Sequence, residues 1–182
     1  MDGVAPTQLA TGDIAGMVVA VVKDGKVLFA KGYGYSDVAT KKPVSVDSTL
    51  FRIGSISKTF TWTAAMQLEE EGKLDLNKDV NSYIDFKIPA PFGQPVTMAN
   101  LMTHTPGWEE VLKELFVTDT SNVVPLKAWL PKHLPTQIYE PGTTPAYSNY
   151  GATLAGYVVE RVSGEPFDDY IDAHILKPLG MT

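Results

Sequence analysis

The pattern of apolar and polar residues changes about a third of the way along the chain, from strand-like apolar segments to apolar residues at helical spacings. Before that point, residues 18–22 are β-branched or small and indicate a strand over 17–23, and the dipeptide Asp24-Gly25 separates it from a second predicted strand, 26–34. Asp-Gly is typical of a type I′ turn, in which both central residues need a positive φ. The pattern therefore predicts an antiparallel hairpin, followed by a polar connector over 36–48.

Beyond this connector, apolar residues recur at spacings of three and four, which predicts helices. The first predicted helix starts near residue 56 and ends at Gly72, because glycine suits the C-terminal cap of a helix. Pro131 is expected to interrupt a later helix. No further strand of similar quality follows, so the pattern predicts an α+β protein. The other predicted helices cover 97–104, 125–134, 149–164 and 165–180.

Composition and charge exclude several classes of partner and site. The 182-residue chain has a formal net charge of −6, which argues against nucleic acid as a partner because phosphate binding needs a basic surface. It contains no cysteine, which excludes disulfides and cysteine-ligated zinc. No segment approaches the roughly 18 apolar residues of a membrane span, and the chain carries no signal peptide. We therefore predict no membrane span, and the localisation stays open between cytoplasmic and exported with a signal removed.

The segment "RIGSISKTFTW" contains the first candidate for chemistry. Ser55 and Lys58 are three residues apart, so on a helix they lie on one face. A desolvated lysine amine can activate a serine hydroxyl, and the amide groups at a helix N-terminus favour negative charge there. The structural alternative is that Ser55 or Ser57 caps the helix and Lys58 is an exposed first-turn residue.

A second candidate group, Tyr147-Ser148-Asn149, comes directly before the strongest predicted helix. A tyrosine in this position can relay protons to a leaving group, and an asparagine can hold both a lysine and a substrate amide. The structural alternative is that Ser148 or Asn149 caps the helix and Tyr147 is a packing residue.

Two other kinds of site fit the sequence poorly. A Ser-His-Asp hydrolase lacks its G-x-S-x-G elbow here, and His104, His133 and His174 have no supporting sequence context. A calcium loop starting at Asp75 would need glycine where Val80 stands. We predict no metal site and no cofactor.

Together, the order and separation of the two candidate groups resemble the serine β-lactamase and penicillin-binding-protein-like family, in its class C β-lactamase, DD-peptidase and esterase branch. The resemblance covers nearly the whole chain. Residues 13–37 look like the opening hairpin of that branch, and "FRIGSISKTFTW" looks like its nucleophile segment. "VTMANLMTHTPGW" is similar to its "LLTHTSGL" segment, and 139–182 look like its tyrosine loop and following helices.

The resemblance implies roles for four residues. Ser55 matches the acylated nucleophile, Lys58 the lysine beside it, and Tyr147 the proton-relay tyrosine. Asn149 matches the asparagine that binds this lysine and the substrate. Either Lys58 or Tyr147 is the base for acylation. The turn that begins at His104 is expected to be structural. The implied activity is an acyl-serine hydrolase acting on small-molecule esters, β-lactams or D-alanyl peptides.

The resemblance also implies that the chain is the N-terminal portion of a larger enzyme. The family's third motif, a Lys- or His-x-Gly segment on a later strand, has no match, and its long first helix is represented by a stub. Residues 1–50 match part of the α/β lobe and 51–182 most of the helical lobe of the β-lactamase/transpeptidase-like fold. We therefore expect a non-catalytic fragment or penicillin-binding-like module as the alternative activity, and a complementary C-terminal segment or self-association as a partner.

Trp62, Trp108 and Tyr150 are expected in core packing. The alternative is that they line an apolar acyl pocket.

Overall fold

The structure is a computed structural model and describes residues 1–112 and 117–181. The fold is α+β, as the pattern predicts. The chain divides into two compact units, Met1–Ile53 and Gly54–Thr182. The boundary falls three residues beyond the predicted one, and the assignment of these parts to two lobes stays a prediction.

The first unit is built on the predicted hairpin. Strand β1 (Gly16–Lys23) pairs antiparallel with strand β2 (Lys26–Asp37). The turn between them has φ values of 51° at Asp24 and 72° at Gly25, which are the two positive values that a type I′ turn requires. A register shift between Val21 and its neighbour Val22 marks a bulge near the turn.

The sheet also has a short third strand that the sequence pattern does not indicate. Strand β3 (Lys42–Pro43) pairs with the end of β2, opposite Tyr35 and Asp37, and makes a three-stranded sheet in the order β1-β2-β3. Its two residues lie in the segment predicted as a polar connector. Two residues are too few to show the alternation of apolar and polar side chains that marks a strand. The pairing is possible because β2 extends as far as Asp37.

A short helix precedes the sheet. Helix α1 (Val4–Thr11) packs against β2 within the first unit and buries Ala5. This helix is eight residues long.

The second unit is helical. A 3₁₀ turn at Gly54–Ser57 leads into helix α2, which therefore begins at Lys58, two residues later than predicted. Gly72 follows its end with a φ of 69°, and Gly164 ends helix α5 with a φ of 79°, as their predicted capping positions require. The helices are α2 (Lys58–Glu70), α3 (Met98–Met102), α4 (Leu126–Trp129), α5 (Asn149–Ser163) and α6 (Phe167–Ile171).

Two of the predicted helices are shorter than the patterns indicate. Helix α4 gives way to a 3₁₀ turn at Leu130–Lys132, because Pro131 has no amide hydrogen to continue the α-helical bonding. Helix α6 continues as a wider π-helical turn at Asp172–Leu176, so the prediction of one regular helix over 165–180 is wrong in its second half.

The core of this unit lies between α2 and α5. Small residues on both helices let their backbones approach, and the leucines fill the space that remains. Fully burying one leucine side chain contributes roughly 1.5–3 kcal/mol. The facing buried residues are Ala64, Ala65 and Leu68 on α2, and Leu154, Ala155 and Val158 on α5. This packing fixes where the N-termini of the two helices lie, and both termini carry candidate site residues.

The tryptophans and the tyrosine pack as expected. Trp108 and Tyr150 are buried in the core and meet edge to face with their ring centroids 5.2 Å apart. The Tyr150 hydroxyl donates a hydrogen bond to the Leu130 carbonyl. Trp62 is half-buried against the same core. Core packing therefore accounts for all three side chains.

Candidate active site

The candidate nucleophile lies on the tight turn that leads into α2. In a 3₁₀ turn, side chains three residues apart eclipse one another, so Ser55 and Lys58 project together. The Lys58 Nζ lies 3.1 Å from the Ser55 Oγ and donates a hydrogen bond to it. Ser57, at the N-cap position, makes no side-chain capping bond, so a simple capping function does not explain this segment.

The tyrosine from the second candidate group reaches the same serine. The Tyr147 hydroxyl lies 2.6 Å from the Ser55 Oγ, although 92 residues separate them in the sequence. Hydrogen bonding with Lys58, and then with Ser55, lowers the pKa of Tyr147. Two proton-carrying groups, the Lys58 ammonium and the Tyr147 hydroxyl, therefore contact one serine oxygen.

Asn149 links the lysine to an acidic residue. Its Oδ1 accepts a hydrogen bond from the Lys58 Nζ at 2.8 Å. Its side-chain Nδ2 donates to the Glu110 Oε1 at 2.6 Å, and its backbone amide donates to the Glu110 Oε2 at 3.0 Å. The sequence motifs do not point to Glu110, which lies 39 residues before Asn149.

Ser148 occupies the N-cap position of α5. Its buried hydroxyl accepts a hydrogen bond from the Gly151 amide at 2.9 Å, which is the usual bond of an N-cap serine. The structural alternative for the second candidate group therefore holds for Ser148. Tyr147 and Asn149 instead contact Ser55 and Lys58.

His104 begins the expected turn and also touches the site. It has a positive φ of 55°, and its carbonyl accepts a hydrogen bond from the Ala146 amide. Its Nδ1 accepts from the Ser148 amide at 3.1 Å, and its ring lies 4.4 Å from the ring of Tyr147. Burial, and then the charge of Lys58, lowers the pKa of His104. Both the accepting Nδ1 and the lowered pKa favour the neutral imidazole, and its ring packs against the ring of Tyr147.

A cavity of about 450 Å³ opens beside Ser55. Its lining includes the polar side chains of Ser55, Lys58 and Asn149. It also includes four residues without polar side-chain groups, Leu126, Ala152, Gly156 and Phe167. This space can take an organic group next to the serine.

The described parts of the chain contain neither a grouped set of metal ligands nor a membrane-spanning helix. Among residues 1–112 and 117–181, no three histidine, aspartate or glutamate side chains are grouped so that they could hold a metal ion. No helix within these ranges is long and apolar enough to cross a membrane.

Sequence comparison agrees with the resemblance suggested by the two motifs. A profile of the Beta-lactamase family matches residues 1–182. The chain belongs to the β-lactamase family. This membership confirms the family that the motifs suggested.

Individual relatives in this family extend well beyond the length of the chain. Protein flp of Staphylococcus aureus is 33% identical and aligns with 100% of this chain but with 37% of its own length. The octameric penicillin-binding protein homologue of Pyrococcus abyssi is 33% identical, with a TM-score of 0.86, and is covered to 42%. The β-lactamase/D-alanine carboxypeptidase of Pseudomonas syringae is 30% identical, with a TM-score of 0.75, and is covered to 49%. The chain thus spans less than half of each.

Proposed function

We propose that this β-lactamase family chain carries the acylation machinery of a serine hydrolase that acts on ester or amide bonds. Ser55 is the nucleophile, Lys58 and Tyr147 move its proton, and Asn149 holds Lys58 and binds a substrate amide. The observation that carries the proposal is the contact of both the Lys58 Nζ and the Tyr147 hydroxyl with one oxygen, the Ser55 Oγ, at 3.1 and 2.6 Å.

The chemistry begins with attack of the Ser55 Oγ on a carbonyl carbon. The serine proton passes to the deprotonated form of Tyr147 or Lys58, and from there to the leaving-group nitrogen or oxygen as its bond to the carbonyl carbon breaks. The product is an acyl ester on Ser55 and a free amine or alcohol. Water then attacks this ester and releases the acid and the serine hydroxyl.

Either proton carrier fits the first transfer. The lowered pKa of Tyr147 supports a phenolate that is stabilised by the neighbouring lysine ammonium. Lys58 supports the other route, because its amine also reaches the serine oxygen and its place is fixed by Asn149. In both routes the two residues share one proton network.

The cavity and the relatives support a class of substrate. A mixed polar and apolar cavity beside Ser55 suits a small acyl group joined to an ester, a β-lactam or a D-alanyl amide. The Pseudomonas syringae relative is a β-lactamase/D-alanine carboxypeptidase, which supports amide substrates.

A second candidate is a penicillin-binding-like module that is acylated without turnover. Its basis is that the contacts of Ser55 with Lys58 and Tyr147 serve the transfer of the serine proton during acylation. Acylation and turnover therefore need separate measurements.

The experiment is covalent labelling followed by intact-protein mass spectrometry. An alkyl fluorophosphonate and a fluorescent penicillin are each incubated with the wild-type chain and with Ser55→Ala. One added label on the wild type, placed on Ser55 by peptide mapping and lost in Ser55→Ala, is the expected result. Ser57→Ala is the matched control, because this serine is two residues away and is expected to leave labelling intact. Equal labelling of Ser55→Ala and the wild type would disprove the nucleophile assignment.

A further inference from the structure

Asn149 lies between a cation and an anion that need opposite ends of its side chain. The Lys58 ammonium can only donate hydrogen bonds, and it meets the Asn149 Oδ1 at 2.8 Å. The Glu110 carboxylate can only accept them, and it meets the Asn149 Nδ2 at 2.6 Å. A carboxamide rotated by 180° would present a donor to the ammonium and an acceptor to the carboxylate, so both bonds would be lost.

Glu110 also holds the backbone beside this side chain. Its second oxygen accepts from the Asn149 amide at 3.0 Å, at the first residue of α5. The two carboxylate oxygens therefore engage one residue at two points, which fixes its position as well as its orientation.

We propose that Glu110 is a positioning residue that sets the orientation of the Asn149 carboxamide, so that its carbonyl oxygen faces Lys58 and holds the ammonium beside Ser55. This inference rests on the proposed function of Ser55 and Lys58. Glu110 acts through Asn149, and its own oxygens make the two bonds to Asn149 and not to the serine.

The chemistry requires an acceptor at position 110 and not merely a side chain of this size. Glu110→Gln keeps the shape but turns one oxygen into an NH₂ group, which would face either the NH₂ or the backbone amide of Asn149, and both of these are donors. Asn149→Asp alone places two carboxylates against each other. The double variant Glu110→Gln with Asn149→Asp restores every pairing, because the glutamine NH₂ donates to the new carboxylate and its oxygen accepts the backbone amide.

The first test compares labelling rates of these variants. The probe is a simple alkyl fluorophosphonate, because it has no amide for residue 149 to recognise. We expect each single variant to be labelled about tenfold to a hundredfold more slowly than the wild type, as the loss of a charge-assisted hydrogen bond predicts. The double variant is expected to be labelled faster than the product of the two single losses predicts, whereas independent effects would multiply.

The matched control is Glu109→Gln. Glu109 is the exposed neighbouring acid and accepts a hydrogen bond from the Thr136 amide, away from Asn149. This change removes the same charge one residue away, and we expect it to alter labelling by less than about twofold. Thermal unfolding of each variant separates loss of positioning from loss of folding.

A second readout does not depend on labelling. In ¹⁵N-labelled protein, the side-chain NH₂ signals of Asn149 report its partner directly, and Glu110→Gln is expected to shift them while Glu109→Gln leaves them in place. A wild-type chain that takes no label defeats the proposed function but leaves this readout intact. Unshifted Asn149 signals in Glu110→Gln, or a double variant slowed as much as the two single losses multiplied, would overturn the positioning role.

Discussion

Replacing Gly107 with alanine tests how tightly the turn that begins at His104 is built. Gly107 has a φ of 81°, and its carbonyl accepts hydrogen bonds from the Ile138 and Tyr139 amides. A Cβ at this position would overlap the Tyr139 carbonyl oxygen and lie 2.8 Å from the Tyr139 carbonyl carbon. Backbone atoms cannot turn aside as a side chain can, so the two segments would have to separate.

The expected loss has two parts, and a second glycine measures one of them alone. Gly164 has nearly the same φ, 79°, but a Cβ there would meet nothing within 4 Å. Gly164→Ala should therefore show only the cost of a left-handed backbone in alanine, about 1–2 kcal/mol. Gly107→Ala should add an overpacking cost of about 1–3 kcal/mol. Its total, roughly 2–5 kcal/mol, is a large fraction of the stability of an ordinary domain.

Urea unfolding followed by tryptophan fluorescence measures both free energies of unfolding. The buried Trp108 lies next to Gly107, so its emission reports the affected region. The slope of the free energy against urea should be unchanged if only the native state is affected. Equal destabilisation by the two substitutions would refute the role of the backbone overlap and leave only the φ preference.

Other substitutions test the site and the sheet. Lys58→Ala should slow labelling by the fluorophosphonate nearly as much as Ser55→Ala, because catalytic groups that share a proton network act as a unit. Mass spectrometry measures the labelling rate. A Lys58→Ala variant that is labelled at the wild-type rate would contradict the catalytic role of Lys58. Tyr147→Phe keeps the ring but loses the hydroxyl, and should slow the same reaction about 10²-fold or more. The pKa of His104 is lowered in the folded state, so the stability that this histidine contributes is present above its unfolded pKa of about 6.5 and is lost as the pH falls below that value. The urea midpoint of the wild type should therefore decrease between about pH 8 and pH 5. His104→Asn should remove this part of the pH dependence. Two copies of the chain should associate through strand β1, which pairs only with β2 among the described residues and leaves Val22 61% exposed. Val22→Lys should then reduce the mass measured by light scattering. An unchanged mass would place the contact between copies elsewhere.

The predictable parts of this fold are those whose local pattern and tertiary environment agree. The hairpin follows from two apolar segments on either side of an Asp24-Gly25 turn, and both turn residues have the φ values that the dipeptide suggests. Helix α5 follows from its spacing and from Gly164 at its end. The short strand β3 has no such local signal, because its two residues are held by pairing with β2 and by hydrogen bonds from the Ser36 hydroxyl to the Lys42 and Pro43 carbonyls.

The candidate site divides in the same way. Ser55 and Lys58 are close in the sequence, so their spacing alone indicates a shared face. Tyr147 and Asn149 follow from the motif resemblance. Glu110 has no local signature, because its bonds to Asn149 exist only after α5 has packed. Glu110 is one of two acidic residues that directly follow the "HTPGW" segment, and nothing in the sequence distinguishes it from its neighbour Glu109.

The distance along the chain between the site residues has a consequence for refolding. The Lys58–Asn149 hydrogen bond closes a loop of 91 residues, whereas the turn of the hairpin pairs Lys23 with Lys26. Loop-closure entropy rises only with the logarithm of length, so the 91-residue closure is harder than the 39-residue Glu110–Asn149 closure by under about 1 kcal/mol. Neither contact forms without the packing of α2 on α5. The rate at which a refolding chain becomes competent for labelling should therefore follow the burial of this helix pair, while the hairpin forms on a faster timescale of its own.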